Sequence, residues 1–209
     1  MKFRTEVKVD KLKHDITHVS RVLAIGSCFV ENIGSKLQDL KFNIGLNPFG
    51  IIFNPYSIAK ILNRGLENPI KLDRECDVLE QKGVYKSFDY HSKFNSDSYN
   101  AFIKKTDLVY SSLNTNLKSN DYLFLTFGTA WVYRLIESNQ IVANCHKVPQ
   151  SNFTKELLDL NTLTEIYIKI FKRLVSANPK IKIVLTVSPV RHTKDGIVEN
   201  NQSKSILLL

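Results

Sequence analysis

The sequence predicts an α/β fold, because two kinds of segment alternate along it. Three short apolar runs, each followed by small or turn-forming residues, alternate with amphipathic segments whose apolar residues recur about every 3.6 positions. Strands that alternate with helices are typical of a parallel sheet covered by helices on both faces. We therefore expect a three-layer α/β/α domain with a small β-hairpin insertion, spanning residues 1–209 as a single unit.

The three apolar runs are the predicted strands of the parallel sheet. They cover Val22–Ile25, Tyr122–Phe127 and Ile181–Val187, and they are followed by Gly-Ser-Cys, Gly-Thr and Ser-Pro. Buried parallel strands are typically continuous apolar runs of this kind. Because sites in open α/β sheets lie outside the carboxyl ends of the strands, we expect a cleft where the residues after these runs meet.

Four segments are predicted as helices. Val30–Leu40 is amphipathic, Pro55–Leu66 opens with a proline suited to a first helical turn, and Tyr99–Leu117 continues the pattern. Phe153–Val175 also follows a period close to 3.6, with residues 161–162 as a candidate break between two helices.

Two further segments interrupt the alternation of strands and helices. Trp131–Ala143 resembles a β-hairpin that turns at residues 138–140. Residues 69–98 are poorly patterned, and we expect a loop with short strands there.

Composition is that of a soluble globular protein, with 43% hydrophobic and 23% charged residues. No apolar run approaches the ~20 residues of a membrane span, and the charged start lacks the apolar core of a signal peptide. Cys28, Cys76 and Cys145 are too few and too scattered for a disulfide framework or a zinc cluster. We therefore expect a protein of the reducing cytoplasm with no membrane partner.

The net charge of +9 raises the question of nucleic-acid binding. That function needs basic residues concentrated on one face or in one tract, whereas here they are intermixed with Asp and Glu. The nearest approach to a cluster is split between a predicted helix and strand: Lys169, Lys172, Arg173, Lys180 and Lys182. We expect a solvated lysine-rich surface and no nucleic-acid partner.

Ser27 is the first candidate for chemistry, because it lies where a predicted strand meets a helix. Backbone N–H groups at a helix N-terminus stabilise developing negative charge, so a serine there is suited to nucleophilic catalysis if a base activates it. Helix capping is the alternative role, and serine commonly has it. Cys28 is a rival nucleophile, although cysteines in such positions more often pack as small apolar residues.

Five histidines are candidates for the base. His192 follows a predicted strand of the sheet and is the best placed. His146, just past the hairpin, is the second candidate for the base and is also a candidate oxyanion- or substrate-binding residue. Either residue has a hydrogen-bonded structural role as its alternative. His14 and His18 lie in a charged segment before the first strand, and His91 is interpreted as a surface or loop residue.

Gly50 and Gly128 are candidate oxyanion donors through their backbone N–H groups. The alternative for each is a glycine required for a positive φ. The sequence contains no metal-binding motif, phosphate-binding loop or GxGxxG, so it predicts neither a metal nor a nucleotide cofactor.

Five short segments, at residues 26–30, 47–55, 127–133, 144–149 and 188–196, are together similar to the motifs of one known family, and the chain resembles the GSCFA family. The motif of that name is present as Gly-Ser-Cys-Phe-Val at residues 26–30, with valine in place of the last alanine. The other segments occur in the family's order over nearly the whole chain: NPFGIIFNP (47–55), FGTAWVY (127–133), NCHKVP (144–149) and SPVRHTKDG (188–196).

The resemblance implies kinship with the SGNH (GDSL-like) hydrolases and their three-layer α/β fold. It would make Ser27 the nucleophile, with oxyanion donors at Gly50 and Gly128. The chain departs from the SGNH pattern at Gly26, where GDSL enzymes carry aspartate. It departs again at Ala130, where an asparagine would supply a side-chain donor.

A larger departure concerns the base. Family members continue to an Asp-x-x-His near their C-terminus, whereas this sequence stops at Leu209, early in a predicted helix, and resembles a member that lacks its C-terminal part. The implied function is a serine esterase acting on acyl esters of a glycan or small molecule. The alternative is an inactive binding module that retains the cleft, and the sequence sets no oligomeric state.

Overall fold

The computed structural model of the protein describes residues 13–67 and 78–209. The strands are β1 (Val22–Gly26), β2 (Ile44–Leu46), β3 (Leu79–Gln81), β4 (Val84–Lys86), β5 (Tyr122–Phe127), β6 (Trp131–Leu135), β7 (Ile141–Val142), β8 (Phe153–Leu157) and β9 (Lys182–Val187). The α-helices are α1 (Cys28–Asp39), α2 (Pro55–Gly65), α3 (Tyr99–Ser119), α4 (Leu160–Ala177) and α5 (Ile197–Leu208).

A four-stranded parallel sheet in the order β2-β1-β5-β9 forms the centre of the fold. Helices flank this sheet, so the predicted α/β class is confirmed. All three predicted strands are present, whereas β2 was not predicted because its three residues are too short for a recognisable pattern. The strand order reverses between β1 and β5, and this is the point at which open α/β sheets form ligand crevices.

Alternating side chains of the central strands supply two cores, as expected for a sheet covered on both faces. Leu23 and Ile25 of β1 join the larger core, to which α2, α3 and α4 contribute. Val22 and Ala24 point the other way and pack with Val30 of α1. The sheet is therefore the middle layer of a three-layer arrangement.

The segment that was predicted as a helix from Phe153 begins as a strand instead. β8 pairs antiparallel with β6, with Trp131 opposite Leu157, and α4 starts only at Leu160. Asp159 caps α4 by accepting a hydrogen bond from the backbone N–H of Thr162 at 2.9 Å. The candidate break at residues 161–162 therefore lies in the first turn of one continuous helix.

The predicted hairpin is confirmed, since β6 and β7 pair antiparallel across the predicted turn. β8 adds a third strand to this small sheet. Residues 78–98 carry the short strands β3 and β4 and a single 3₁₀ turn, as expected for that region, and residues 68–77 lie outside the described part.

Cys28 and Cys145 are free thiols, and Cys76 lies outside the described residues. Within the described ranges, no helix is both long enough and apolar enough to cross a bilayer.

The backbones of β1 and β5 come into close contact at Gly26. This residue has φ of 150°, and a Cβ built on it would lie 2.1 Å from the carbonyl oxygen of Thr126. Its N–H donates to the Asn47 side-chain oxygen at 2.8 Å. Only glycine fits this position, because any side chain would collide with the neighbouring strand.

We expect Gly26→Ala to lower the free energy of unfolding by about 3 kcal/mol, because the added methyl group forces β1 away from β5. Urea denaturation measures the loss. Gly83→Ala is the matched control: its φ of 74° is also positive, but nothing lies within 4 Å of its added Cβ. It should cost about 1 kcal/mol, the ordinary penalty of a left-handed backbone, and equal losses would contradict the role of the strand contact.

Candidate active site

The segments that follow β1, β5 and β9 lie side by side at one edge of the sheet. The Ser27 N–H donates to Thr126 O at 3.1 Å, and the Ser188 N–H donates to Phe127 O at 2.8 Å. The Gly128 N–H donates to Phe53 O at 2.7 Å. The three strand ends that were expected to form a cleft are thus held together by backbone hydrogen bonds.

Ser27 is the N-cap of α1, so its predicted capping role is confirmed. Its Oγ accepts a hydrogen bond from the Phe29 N–H at 3.3 Å, and the residue is fully buried. Cys28 is the first residue of α1 and is only half-buried. Its backbone N–H has no hydrogen-bond partner among the described residues.

The two amides predicted as oxyanion donors, those of Gly50 and Gly128, have partners within the chain, and so does the amide of Ser27. The Ser27 and Gly128 amides donate to carbonyl oxygens as described above, and the Gly50 N–H donates to Asn47 O at 2.7 Å. Gly50 has a positive φ of 79°, which agrees with the backbone interpretation of that glycine. Gly128 does not have a positive φ, so the same interpretation is wrong for it. An oxyanion bound at these amides would have to replace a carbonyl oxygen.

Asn47 connects the Gly50 loop to β1 and to α1. Its side-chain oxygen accepts from Gly26, and its side-chain N–H donates to a Glu31 carboxylate oxygen at 2.9 Å. This hydrogen bond is the main cause that lowers the pKa of Glu31 below its ordinary value, and Lys93 acts in the same direction. Glu31 is therefore a charged structural partner of the loop.

His192 lies at the same edge, within a short segment between β9 and α5. Its backbone N–H donates to the Asn200 side chain at 2.9 Å, and its ring contacts Phe53 edge-on at a centroid distance of 5.4 Å. The ring atom Nε2 is buried and has no hydrogen-bond partner in the described part of the chain. Burial lowers the pKa of His192, and the nearby Lys204 ammonium lowers it further.

His146 is placed elsewhere, against the segment that begins at Ser87. It is buried, and its Nε2–H donates to Ser87 O at 2.6 Å. Burial lowers the pKa of His146 although that carbonyl opposes the shift. The ring nitrogen is thus engaged in a structural contact. Across the described residues, no hydrogen bond joins Ser27 Oγ to His146 or to His192.

A cavity of about 440 Å³ opens between the hairpin sheet and the segment that carries His192. Its wall contains Phe53, Thr129 and His192, so it adjoins the ends of β5 and β9, but Ser27 is not part of the wall. A second cavity, of about 150 Å³, lies between α1 and the sheet and has an almost entirely apolar lining. The larger cavity has the polar groups that orient a ligand.

The family of the chain follows from a match to a protein-family model. The model of the GSCFA family matches residues 21–209. The chain belongs to the GSCFA family. No match was found among curated proteins or among solved structures.

The GSCFA motif itself spans the strand-to-helix corner at residues 26–30. Its glycine makes the close contact with β5, its serine caps α1, and its cysteine starts the helix. The resemblance segment at residues 47–55 supplies both Asn47 and Phe53, which contact the ends of β1 and β5. Four of the five family segments, all except residues 144–149, therefore lie at the ends of the central strands.

The contribution of α5 to the site was not predicted from the sequence. Asn200, Ser203 and Lys204 are spaced i, i+3, i+4, so they share one face of this helix. Asn200 holds the backbone of His192, and the buried Ser203 hydroxyl accepts from the Ala130 N–H at 2.7 Å. The spacing was available as a signal, but its meaning depends on which loops the helix faces.

Lys204 connects two strand ends directly. Its ammonium donates to Gly128 O at 2.6 Å and to Ser188 O at 2.8 Å. Partial burial lowers the pKa of this lysine, and Cys28 opposes the shift. An ammonium has three donors, so one N–H remains beyond these two carbonyl contacts. In this GSCFA protein a positive charge thus lies among the ends of β1, β5 and β9.

Within the two described ranges, no group of three or more His, Cys, Asp or Glu side chains is placed to hold a metal ion.

Ser203→Ala should lower the free energy of unfolding by about 2 kcal/mol, because it leaves the buried Ala130 N–H without an acceptor. Chemical denaturation tests this. Ser205→Ala removes an exposed hydroxyl from the same helix and should change stability by no more than about 0.5 kcal/mol. Similar losses in both variants would show that the hydrogen bond to Ala130 contributes nothing measurable.

Lys204→Met should raise the pKa of His192 toward its ordinary value, because it removes a cation that opposes protonation of the ring. The ring proton resonances of His192, followed by NMR against pH, measure the shift. Lys172→Met, which removes an exposed charge from α4, should leave the titration unchanged. A downward shift in Lys204→Met would contradict the assignment of Lys204 as the perturbing charge.

Proposed function

We propose that the protein is an SGNH-type serine hydrolase that cleaves acyl esters of a glycan or small molecule, with Ser27 as its nucleophile. The observation that supports this most is the position of Ser27. It stands at the N-terminus of a 12-residue helix, directly beside the point where the strand order reverses. Ligands of open α/β sheets bind there, and the helix terminus favours negative charge.

In the proposed reaction, Ser27 Oγ attacks the ester carbonyl carbon and its proton passes to His192. The carbonyl π electrons move to the oxygen, and collapse of this tetrahedral intermediate expels the alcohol, which takes the proton from His192. Water then attacks the acyl-enzyme in the same way, with the acid as the second product. A base must be neutral to accept a proton, and the lowered pKa of His192 favours its neutral form.

Two groups at this edge are suited to the oxyanion. The Cys28 N–H follows the nucleophile and has no partner among the described residues. The third N–H of Lys204 adds a positive charge at the ends of the strands. Together they would replace the side-chain amide that Ala130 lacks, since charged donors stabilise an oxyanion in a site that excludes water.

The proposal requires a movement before the chemistry. Ser27 is fully buried, and its hydroxyl serves as the helix cap, so an ester reaches Oγ only after the surrounding loops separate. The family resemblance implies the histidine of an Asp-x-x-His as the usual base. His192 is the candidate within the described chain.

Ser27→Ala should reduce turnover of p-nitrophenyl acetate by roughly 10³-fold or more, because no other group forms the acyl-enzyme. It should also abolish covalent labelling by a fluorophosphonate, as measured by intact mass. Ser35→Ala, an exposed serine on the same helix, is the matched control and should retain both signals. Loss of both signals in Cys28→Ala, with Ser27→Ala active, would assign the chemistry to the thiol instead.

A binding module without catalysis is the second candidate. It is favoured by the complete burial of Ser27 and by the three amides that already donate to carbonyl oxygens. This candidate predicts neither turnover nor labelling in the unmodified chain.

The same proposal includes a small-molecule or glycan ester partner and a cytoplasmic location. Free thiols at Cys28 and Cys145 are compatible with a reducing compartment.

A further inference from the structure

The side chains that line the cavity of about 440 Å³ favour one chemical class of ligand. Its volume is within the usual range for small-molecule sites. Its lining combines aromatic, aliphatic and charged side chains, among them Phe53, Trp131, Tyr133, Arg191, His192 and Lys194.

The lining contains two cations, Arg191 and Lys194, and one carboxylate, that of Asp195. Asp195 forms an ion pair with Lys155 at 2.6 Å, so its carboxylate is already neutralised. Arg191 and Lys194 are exposed at the cavity and form no ion pair with any described residue. An anionic group entering the cavity would therefore meet two cations without having to displace a carboxylate from either of them.

The aromatic wall is fixed in position. The indole N–H of Trp131 donates to Glu199 O at 3.0 Å, and the Lys155 ammonium lies over the indole ring at 4.9 Å from its centroid. Phe53 is held against His192, and Tyr133 adds a third aromatic side chain. Ordered aromatic rings provide apolar contact area for the flat faces of a sugar ring at little cost in conformational entropy.

One of the lining residues, His192, has a ring nitrogen that lacks a partner among the described residues. His192 Nε2 is buried and makes no hydrogen bond to any described residue, which is unusual for a buried ring nitrogen. A hydroxyl group can donate to or accept from this atom in either of its neutral forms. Because Nε2 has no exposed surface, a ligand hydroxyl group would satisfy this nitrogen once the His192 ring turns toward the cavity.

We propose that this cavity binds a carboxylate-bearing sugar, with the carboxylate at Arg191 and Lys194 and a hydroxyl group at His192 Nε2. Arg191 presents a planar fork of donors that matches a carboxylate. The inference rests on the proposed function, because it makes an acidic glycan ester the substrate class of the hydrolase. The binding itself requires no catalysis.

Isothermal titration calorimetry at low ionic strength tests the inference with trigalacturonate and, as a neutral probe, galactotriose. Trigalacturonate should bind at least about tenfold more tightly, because only it pairs with the two cations. The Arg191→Gln/Lys194→Gln double variant should lose about tenfold in affinity for trigalacturonate. Both residues are exposed, so this variant should fold normally.

A control with the same change in charge separates a site from general attraction. Lys169→Gln/Lys172→Gln removes two exposed cations from α4 and should leave the affinity for trigalacturonate within about twofold. Equal losses in both double variants, equal affinities for the two probes or no binding of trigalacturonate at millimolar concentration would each overturn the inference. The ring resonances of His192 should shift on addition of trigalacturonate, and unchanged resonances would also overturn it.

The test of ligand binding in the cavity and the test of Ser27 as nucleophile can fail independently of each other. Selective binding of trigalacturonate without fluorophosphonate labelling of Ser27 would support the cavity assignment and favour the binding module. Labelling of Ser27 without any preference for the acidic probe would overturn the cavity assignment alone.

Discussion

The contact between Gly26 and the carbonyl group of Thr126 sets the geometry on which the site depends. It brings β1 against β5 at the point where the strand order reverses, and the same residue is fixed by the Asn47 side chain. Ser27 therefore starts α1 at a defined place beside the end of β5. The hydrogen bond from Gly128 to Phe53 then connects that strand end to the wall of the cavity. A wider separation of the two strands would displace each of these groups together.

A second level of order comes from one face of α5. The three polar residues on this face, Asn200, Ser203 and Lys204, contact the segments after β5 and β9. Asn200 and Ser203 are buried away from water, and each forms its hydrogen bond with the protein backbone instead. Lys204 combines two tasks, because the ammonium that joins Gly128 to Ser188 also makes protonation of His192 less favourable. A substitution of Lys204 would therefore remove the hydrogen bonds to the two strand ends and change the pKa of His192 at the same time.

The parts of this protein that sequence predicts well are those where local pattern and burial agree. The apolar runs of β1, β5 and β9 identify the sheet, and the motif at residues 26–30 identifies its critical corner. Phe153–Leu157 was predicted as part of a helix because Phe153 and Leu157 are four residues apart and run into the helical pattern of α4, whereas pairing with β6 decides that this segment is a strand. The contacts of Lys204 could not be predicted, since carbonyl oxygens have no sequence signature. The orphaned Nε2 of His192 likewise depends on tertiary packing alone.

The position of β9 has a consequence for how the protein behaves at high concentration. This strand ends the order of the sheet, and all six of its residues are half-buried or exposed, with Leu185 50% accessible. Its apolar sequence is that of an interior strand, yet no described strand pairs with its outer edge. Unpaired, apolar edges are templates for pairing between molecules. Lys182, at the start of the strand, carries one charge that opposes such pairing. Because salt screens an exposed charge, this GSCFA protein should associate through the β9 edge more readily as ionic strength rises.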